Sequence, residues 1–160
     1  NSQEINNVIS LIKNETSSTV IIAALDALNR FDLKVYKEDL YLLAQDKSSQ
    51  LRKNVVELII SNEILYDFDE IVSLFEYEGL EDIKMKIGKI MFNQYKSQTI
   101  KYLMGYLNCN DEKFLVKLTD FFKQNKISEP FGELSRILQS KSISDALKKS
   151  IDSYLSSVNN

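Results

Sequence analysis

Apolar residues recur three and four positions apart along almost the whole 160-residue chain, the spacing that keeps one face of a helix dry. A longer period runs above it. Leu11, Leu43, Phe75 and Leu107 follow one another at steps of 32, and Leu138 stands 31 further on. Val8, Leu40, Val72 and Met104 keep the same step of 32. A third register pairs Leu51 and Arg52 with Ile83 and Lys84, then with Phe114 and Leu115, then with Leu147 and Lys148. Val20 and Ile21 supply its first member. Registers that share one period mark a repeat.

The repeat predicts five units, 1–33, 34–65, 66–96, 97–127 and 128–160, each a helix, a short polar turn and a second helix. The first helices are expected over 2–13, 37–45, 68–77, 98–107 and 129–139. The second helices are expected over 18–30, 49–62, 81–94, 111–125 and 144–156. Start signals agree. Asp67 and Glu70 have the spacing of a capping box, Ser48 and Ser144 suit N-caps, and Ser128 precedes a Pro130 tolerated in a first helical turn. Two glycines fall inside helices: Gly88 predicts a close helix crossing, and Gly105 a crossing or a bend. One domain spans 1–160, because five units leave no room for a second.

These residues resemble the HEAT-repeat family. The resemblance rests on an acidic or amide residue in the turn, an aliphatic–basic pair opening the second helix, and aliphatic residues behind it. Asp46, Leu51, Arg52, Val55, Val56 and Ile59 follow that pattern, as do Glu78, Ile83, Lys84, Ile87, Gly88 and Met91. Repeat one keeps Asn14, Ala23, Ala24 and Leu28 without the base, and repeat four has Asn108 in the turn and Leu115 in the base's place. The resemblance implies an all-α, right-handed superhelix, an armadillo-like solenoid of five hairpins whose second helices line the concave side. It also implies a non-catalytic scaffold or adaptor for protein–protein interaction. A further implication is nucleic-acid binding, since some HEAT-like proteins are alkylpurine DNA glycosylases.

Composition narrows the choice. One Pro and four Gly are too few for the turns of an all-β chain. A net charge of −3 is not that of a protein that coats nucleic acid, and the absence of Trp removes the strongest stacking residue. No apolar run reaches the ~18 residues of a membrane span. Cys109 is alone, so no intrachain disulfide forms and compartment is left open. The chain starts at Asn, from which a longer parent chain is expected.

Candidate chemistry is sparse. There is no His, and no nucleophile elbow or phosphate loop, so neither catalysis nor a cofactor is expected. Asp46 and Arg52 recur in outline as Glu78 and Lys84, which predicts a turn carboxylate bonding a base of its own or the next repeat. Glu63, Asp67, Asp69, Glu70, Glu76, Glu78, Glu81 and Asp82 form an acidic run, read as a solvated face with its caps and not as a metal site.

Basic residues gather on the second helices: Arg52, Lys53, Lys84, Lys86, Lys89, Lys113, Lys117, Lys123, Lys148 and Lys149. They are expected either to form a groove for an acidic segment of a partner protein or to keep the chain in solution. Among Phe92, Tyr95, Tyr102, Tyr106, Phe114, Phe121 and Phe122, Tyr95 and Tyr102 are the candidates for exposed contact. The segment 19–28 is apolar nearly all round, whereas 142–155 has a polar face suited to a terminal cap. The N-terminal repeat is therefore expected to pack on an upstream segment or on a second copy.

Overall fold

Helix formation follows the apolar spacing closely in a computed structural model, which describes residues 2–15, 17–28, 30–139 and 142–158. Ten helices succeed one another: α1 (Ser2–Asn14), α2 (Ser18–Leu28), α3 (Lys37–Leu43), α4 (Ser49–Ser61), α5 (Phe68–Tyr77), α6 (Glu81–Gln94), α7 (Lys96–Met104), α8 (Glu112–Gln124), α9 (Phe131–Leu138) and α10 (Asp145–Val158). Tight 3-10 turns precede α3 and follow α7, and no strand occurs among the described residues. The all-α class is therefore observed. Two compact units make up the chain, Asn1–Ile90 and Met91–Asn160, with α6 running through the division.

Helices α1 and α2, α3 and α4, and α9 and α10 pack as pairs, and the Phe75 ring of α5 lies against Gly88 of α6. Helix α2 packs on α1 and on α4, and α4 on α3, within the first unit. In the second unit α10 packs on α9 and on α8. Burial explains this. Leu28, Ile59, Met91, Phe122 and Tyr154 stand at steps of 31, 32, 31 and 32, and none is more than 1% exposed. On the first helices Ile9, Leu40, Ile71, Leu103 and Leu134 are the matching buried positions. Removing one such aliphatic side chain from water stabilises by about 1.5–3 kcal/mol.

This register corrects the sequence reading by one residue in places. Leu11 is 44% exposed while Ile12 beside it is 2% exposed, and Val8, Val72 and Met104 are only half-buried. Repeats are 31 or 32 residues long, and one residue turns a helix by about 100°. A constant step of 32 therefore drifts off the buried face.

Helix ends are locally determined. Ser48 Oγ accepts from Leu51 N–H at 3.4 Å, Ser144 Oγ from Leu147 N–H at 3.4 Å, and Asp111 Oδ1 from Phe114 N–H at 3.1 Å. Glu70 accepts from Asp67 N–H at 2.8 Å and completes the expected capping box. Ser128 is not a cap: its carbonyl accepts from Phe131 N–H in a turn, and α9 starts at Phe131.

The exits of α4 and α8 are the same device used twice. Glu63 and Lys126 adopt left-handed backbone, φ 50° and 53°. Ile64 N–H then donates to Ile59 C=O, and Ile127 N–H to Phe122 C=O. Both are Schellman closures that bring a buried isoleucine back onto the helix.

Gly88 is buried, and a Cβ there would lie 3.5 Å from the Phe75 ring. Phe75 thus packs over Gly88, yet an Ala would make only ordinary contact. Gly105 marks the change from α7 to its 3-10 turn, the bend of the two alternatives, and has open space around it.

Two outcomes follow for stability. Lys126→Gly relieves left-handed strain and raises stability by about 0.5–1 kcal/mol after the added freedom of the unfolded chain, whereas Lys126→Val lowers it. Urea midpoints at unchanged slope report both. Thr99 is fully buried on α7, and its Oγ1 has no hydrogen-bond partner among the described residues. Thr99→Val keeps the shape, removes the unmet hydroxyl and gains about 1 kcal/mol, read in the same titration.

Candidate functional site

The turn between the helices of a hairpin repeats one piece of chemistry. Two residues after each turn carboxylate a backbone N–H needs an acceptor, and the side chain supplies it. Glu15 Oε1 accepts from Ser17 N–H at 2.9 Å, Asp46 Oδ1 from Ser48 N–H at 2.7 Å, and Glu78 Oε1 from Leu80 N–H at 2.8 Å. In repeat one this role belongs to Glu15 and not to Asn14, whose side-chain amide instead donates to Ser10 C=O at 2.8 Å.

Arg52 joins two of these turns. Its Nε and an Nη donate to the two oxygens of Glu78 at 2.8 and 2.9 Å, a bidentate pair across neighbouring hairpins. Its other Nη donates backward to the carbonyls of Asp46 and Lys47 at 2.9 and 3.2 Å. The side chains are 12% and 1% exposed. Asp46 is thus not the partner of Arg52; the carboxylate of the following turn is. The hydrogen bond to Glu78 raises Arg52 above its ordinary pKa against the opposing pull of burial. Burial alone would raise Glu78. The hydrogen bond and charge of Arg52, with the N–H groups of Leu80 and Gly79, outweigh it and hold the carboxyl below the usual range. A pair locked in its charged form braces two turns; it is not poised to move a proton.

The basic residues predicted as one surface divide by what they touch. Arg52 is engaged as described. Lys84 lies 4.9 Å over the Phe75 ring, Lys86 pairs with Glu57 on α4, and Lys148 stands 3.8 Å from Asp145. Lys123 donates to Ser153 Oγ at 2.6 Å, and Lys117 is exposed. Lys53, Lys89, Lys113 and Lys149 are exposed, with no ion pair or hydrogen bond of their ammonium groups among the described residues. Of the basic residues predicted on the second helices, these four are open to a ligand, two in each unit.

Other candidates resolve into structure. Tyr102 Oη and Tyr106 Oη are 3.1 Å apart, and Tyr106 packs edge-on against Phe114 at 5.4 Å. Phe92 packs edge-on against Phe121 at 5.7 Å. Tyr95 and Tyr102 are both half-buried. Within the acidic run Glu70 caps α5 and Glu78 pairs with Arg52. No group of three or more His, Cys, Asp or Glu among the described residues has the geometry to hold a metal. Cys109 Sγ donates to Asp111 C=O at 3.8 Å. No described helix is long and apolar enough to cross a membrane.

Sequence reasoning pointed to the apolar segment 19–28, which holds Val20, but not to the other exposed apolar side chains. Leu11, Val20, Val35, Leu42, Leu65, Tyr77 and Leu80 are 41–80% exposed, and all lie in the first unit. Helical spacing marks residues as apolar-faced, but only the packing partner decides which of them stay wet.

Glu78→Gln lowers stability at pH 7 by about 2–4 kcal/mol, because Arg52 is left buried beside a neutral amide. The folded carboxyl lies below its unfolded value of about 4.3, so its contribution is complete above that value and is lost as pH falls through the folded one. Urea titrations at pH 7, 5 and 3 therefore show a gap between wild type and Glu78→Gln that narrows on acidification.

Comparison of the chain with protein-family models, curated proteins and solved structures found no match.

Proposed function

We propose that the chain is a HEAT-like solenoid of five hairpins forming one domain, a non-catalytic scaffold or adaptor whose surface binds another protein. The observation that carries this reading is the reach of its polar ties. The side-chain hydrogen bonds between hairpins span 26 to 34 residues, one repeat length. Tyr66 Oη donates to Lys37 C=O at 2.8 Å, and Tyr77 Oη to Gln45 C=O at 2.7 Å. In the second unit Tyr154 Oη donates to Ile127 C=O at 2.9 Å, and Ser144 N–H to Glu112 at 3.1 Å. Within each unit, neighbouring hairpins are tied to one another as in a repeat stack.

A stack of this kind offers a long surface in place of a deep pocket, which suits a protein segment better than a small substrate. Lys53, Lys89, Lys113 and Lys149 occupy second helices, the layer that lines the concave side of a HEAT-like array. An acidic segment is the ligand chemistry they fit. Nucleic acid is the weaker reading, since Tyr102, Tyr106 and Phe114 pack edge-on against one another instead of forming an open ring platform. The apolar residues left open on the N-terminal repeat add a second contact, to an upstream segment or another copy.

Charge reversal at Lys53, Lys89, Lys113 and Lys149 leaves the thermal midpoint within about 2 °C, because these side chains hold nothing internal. The same variant captures an acidic partner from native lysate, or an acidic peptide at low salt, at least about tenfold less well. Undiminished capture overturns the reading. Lys84 and Lys86 are kept out of the variant because reversing them would break internal contacts.

A further inference from the structure

The two compact units expose different chemistry. Asn1–Ile90 holds 16 Asp and Glu against 10 Lys and Arg, and Met91–Asn160 holds 7 against 10. Their net charges are therefore −6 and +3. Every exposed large apolar side chain among the described residues lies in the first unit. A partner of the second unit is thus left with charge and hydrogen bonds as its means of recognition.

Within the second unit α8 and α10 run side by side in the same direction. Ser150 Oγ donates to Asp120 Oδ1 at 2.8 Å, and Lys123 Nζ to Ser153 Oγ at 2.6 Å, so positions 30 apart face each other twice along the pair. Lys113 and Lys117 on α8 and Lys149 on α10 are exposed. Each stands two residues from a buried position, Leu115, Thr119 or Ile151, which puts it about 160° round its helix from the core. A further hairpin stacked beside α10 would leave this face open, because it would lie on a flank and not over the lysines. Asp120 is half-buried and bonded to Ser150, and Asp145 lies 3.8 Å from Lys148.

In the first unit the open lysines keep acidic company. Glu57 is one turn beyond Lys53, pairs with Lys86 and has a side chain 47% exposed. Asp82 is exposed one turn before Lys86. An acidic segment laid on α4 and α6 would meet those carboxylates in a unit already negative, and like charges repel it.

We infer that the acidic segment is bound by the second unit alone, laid across α8 and α10, with Lys113 and Lys149 holding its carboxylates and Lys117 adding charge. The inference rests on the adaptor reading above and narrows it from four lysines to one face. Lys149 is one turn beyond the position equivalent to Lys113 and one helix over, a separation of roughly 10 Å. Carboxylates three residues apart in extended chain have about that spacing. Asp145 and Asp152 of α10 are exposed beside the lysines. A protein segment can set neutral residues over them, whereas the unbroken charge of a nucleic-acid backbone cannot.

Fluorescence anisotropy of a labelled peptide with Glu at every third position among Gly and Ser, titrated with the whole chain at low salt, tests this. Lys113→Glu with Lys149→Glu is expected to raise the dissociation constant at least about tenfold. Lys53→Glu with Lys89→Glu is expected to change it less than about twofold, with helix content unchanged in both. The two variants carry the same net charge, so their difference reads position. A loss confined to the first-unit variant, or shared equally by both, overturns the inference and leaves the adaptor reading standing. A wild type that ignores the peptide, or binding indifferent to both variants, sinks the acidic ligand of that reading as well. A single-stranded oligonucleotide of equal charge that binds more tightly than the peptide overturns the assignment to a protein segment.

Discussion

A second helix in this chain has more apolar face than its own hairpin partner can cover. Helix α4 shows it most plainly: Leu51, Val55, Val56, Leu58 and Ile59 are all buried, over a wider arc than one neighbouring helix shields. Helix α3 takes part of that arc and α2 the rest. The recurring buried positions, from Leu28 and Ile59 in one unit to Phe122 and Tyr154 in the other, follow from the same need. On the stacked-hairpin reading proposed above, hairpins that cannot be dry alone become dry side by side, and the repeat length is the chain needed to return to the same place.

Polar groups then choose among the ways in which those faces might slide. Arg52 holds two turns at once through Glu78 and the carbonyls of residues 46 and 47, and Tyr66 and Tyr77 spend their hydroxyls on backbone carbonyls one repeat away. Each of these contributes roughly 1–3 kcal/mol at most, less than the apolar faces do together. Their value is directional. A slip of one residue would break every one of them, besides turning each helix by about 100° off its buried face.

The helices were legible because their apolar spacing and most of their capping residues are local. Ser48, Ser144 and the Asp67–Glu70 box sit where the sequence places them. Registers were legible only to within one residue, since Leu11 and Ile12 are both aliphatic and differ only in which meets the core. The partner of Arg52 was half legible: a turn carboxylate, but Glu78 and not Asp46, a choice made by the packing of adjacent hairpins. The basic surface was least legible. Composition counts Lys84, Lys86 and Lys53 alike, while the fold seats the first over Phe75, gives the second to Glu57 and leaves the third in water.

The short reach of the ties has a consequence for how the chain comes apart. A hairpin held only by those beside it loses one seam when it opens at an end and two when it opens in the middle. In the stack proposed above, disruption begins at the margins and moves inward by whole hairpins, much as a stack of plates is unloaded. An insertion of one complete repeat would be absorbed, and an insertion of half a repeat would turn a helix's dry side outward.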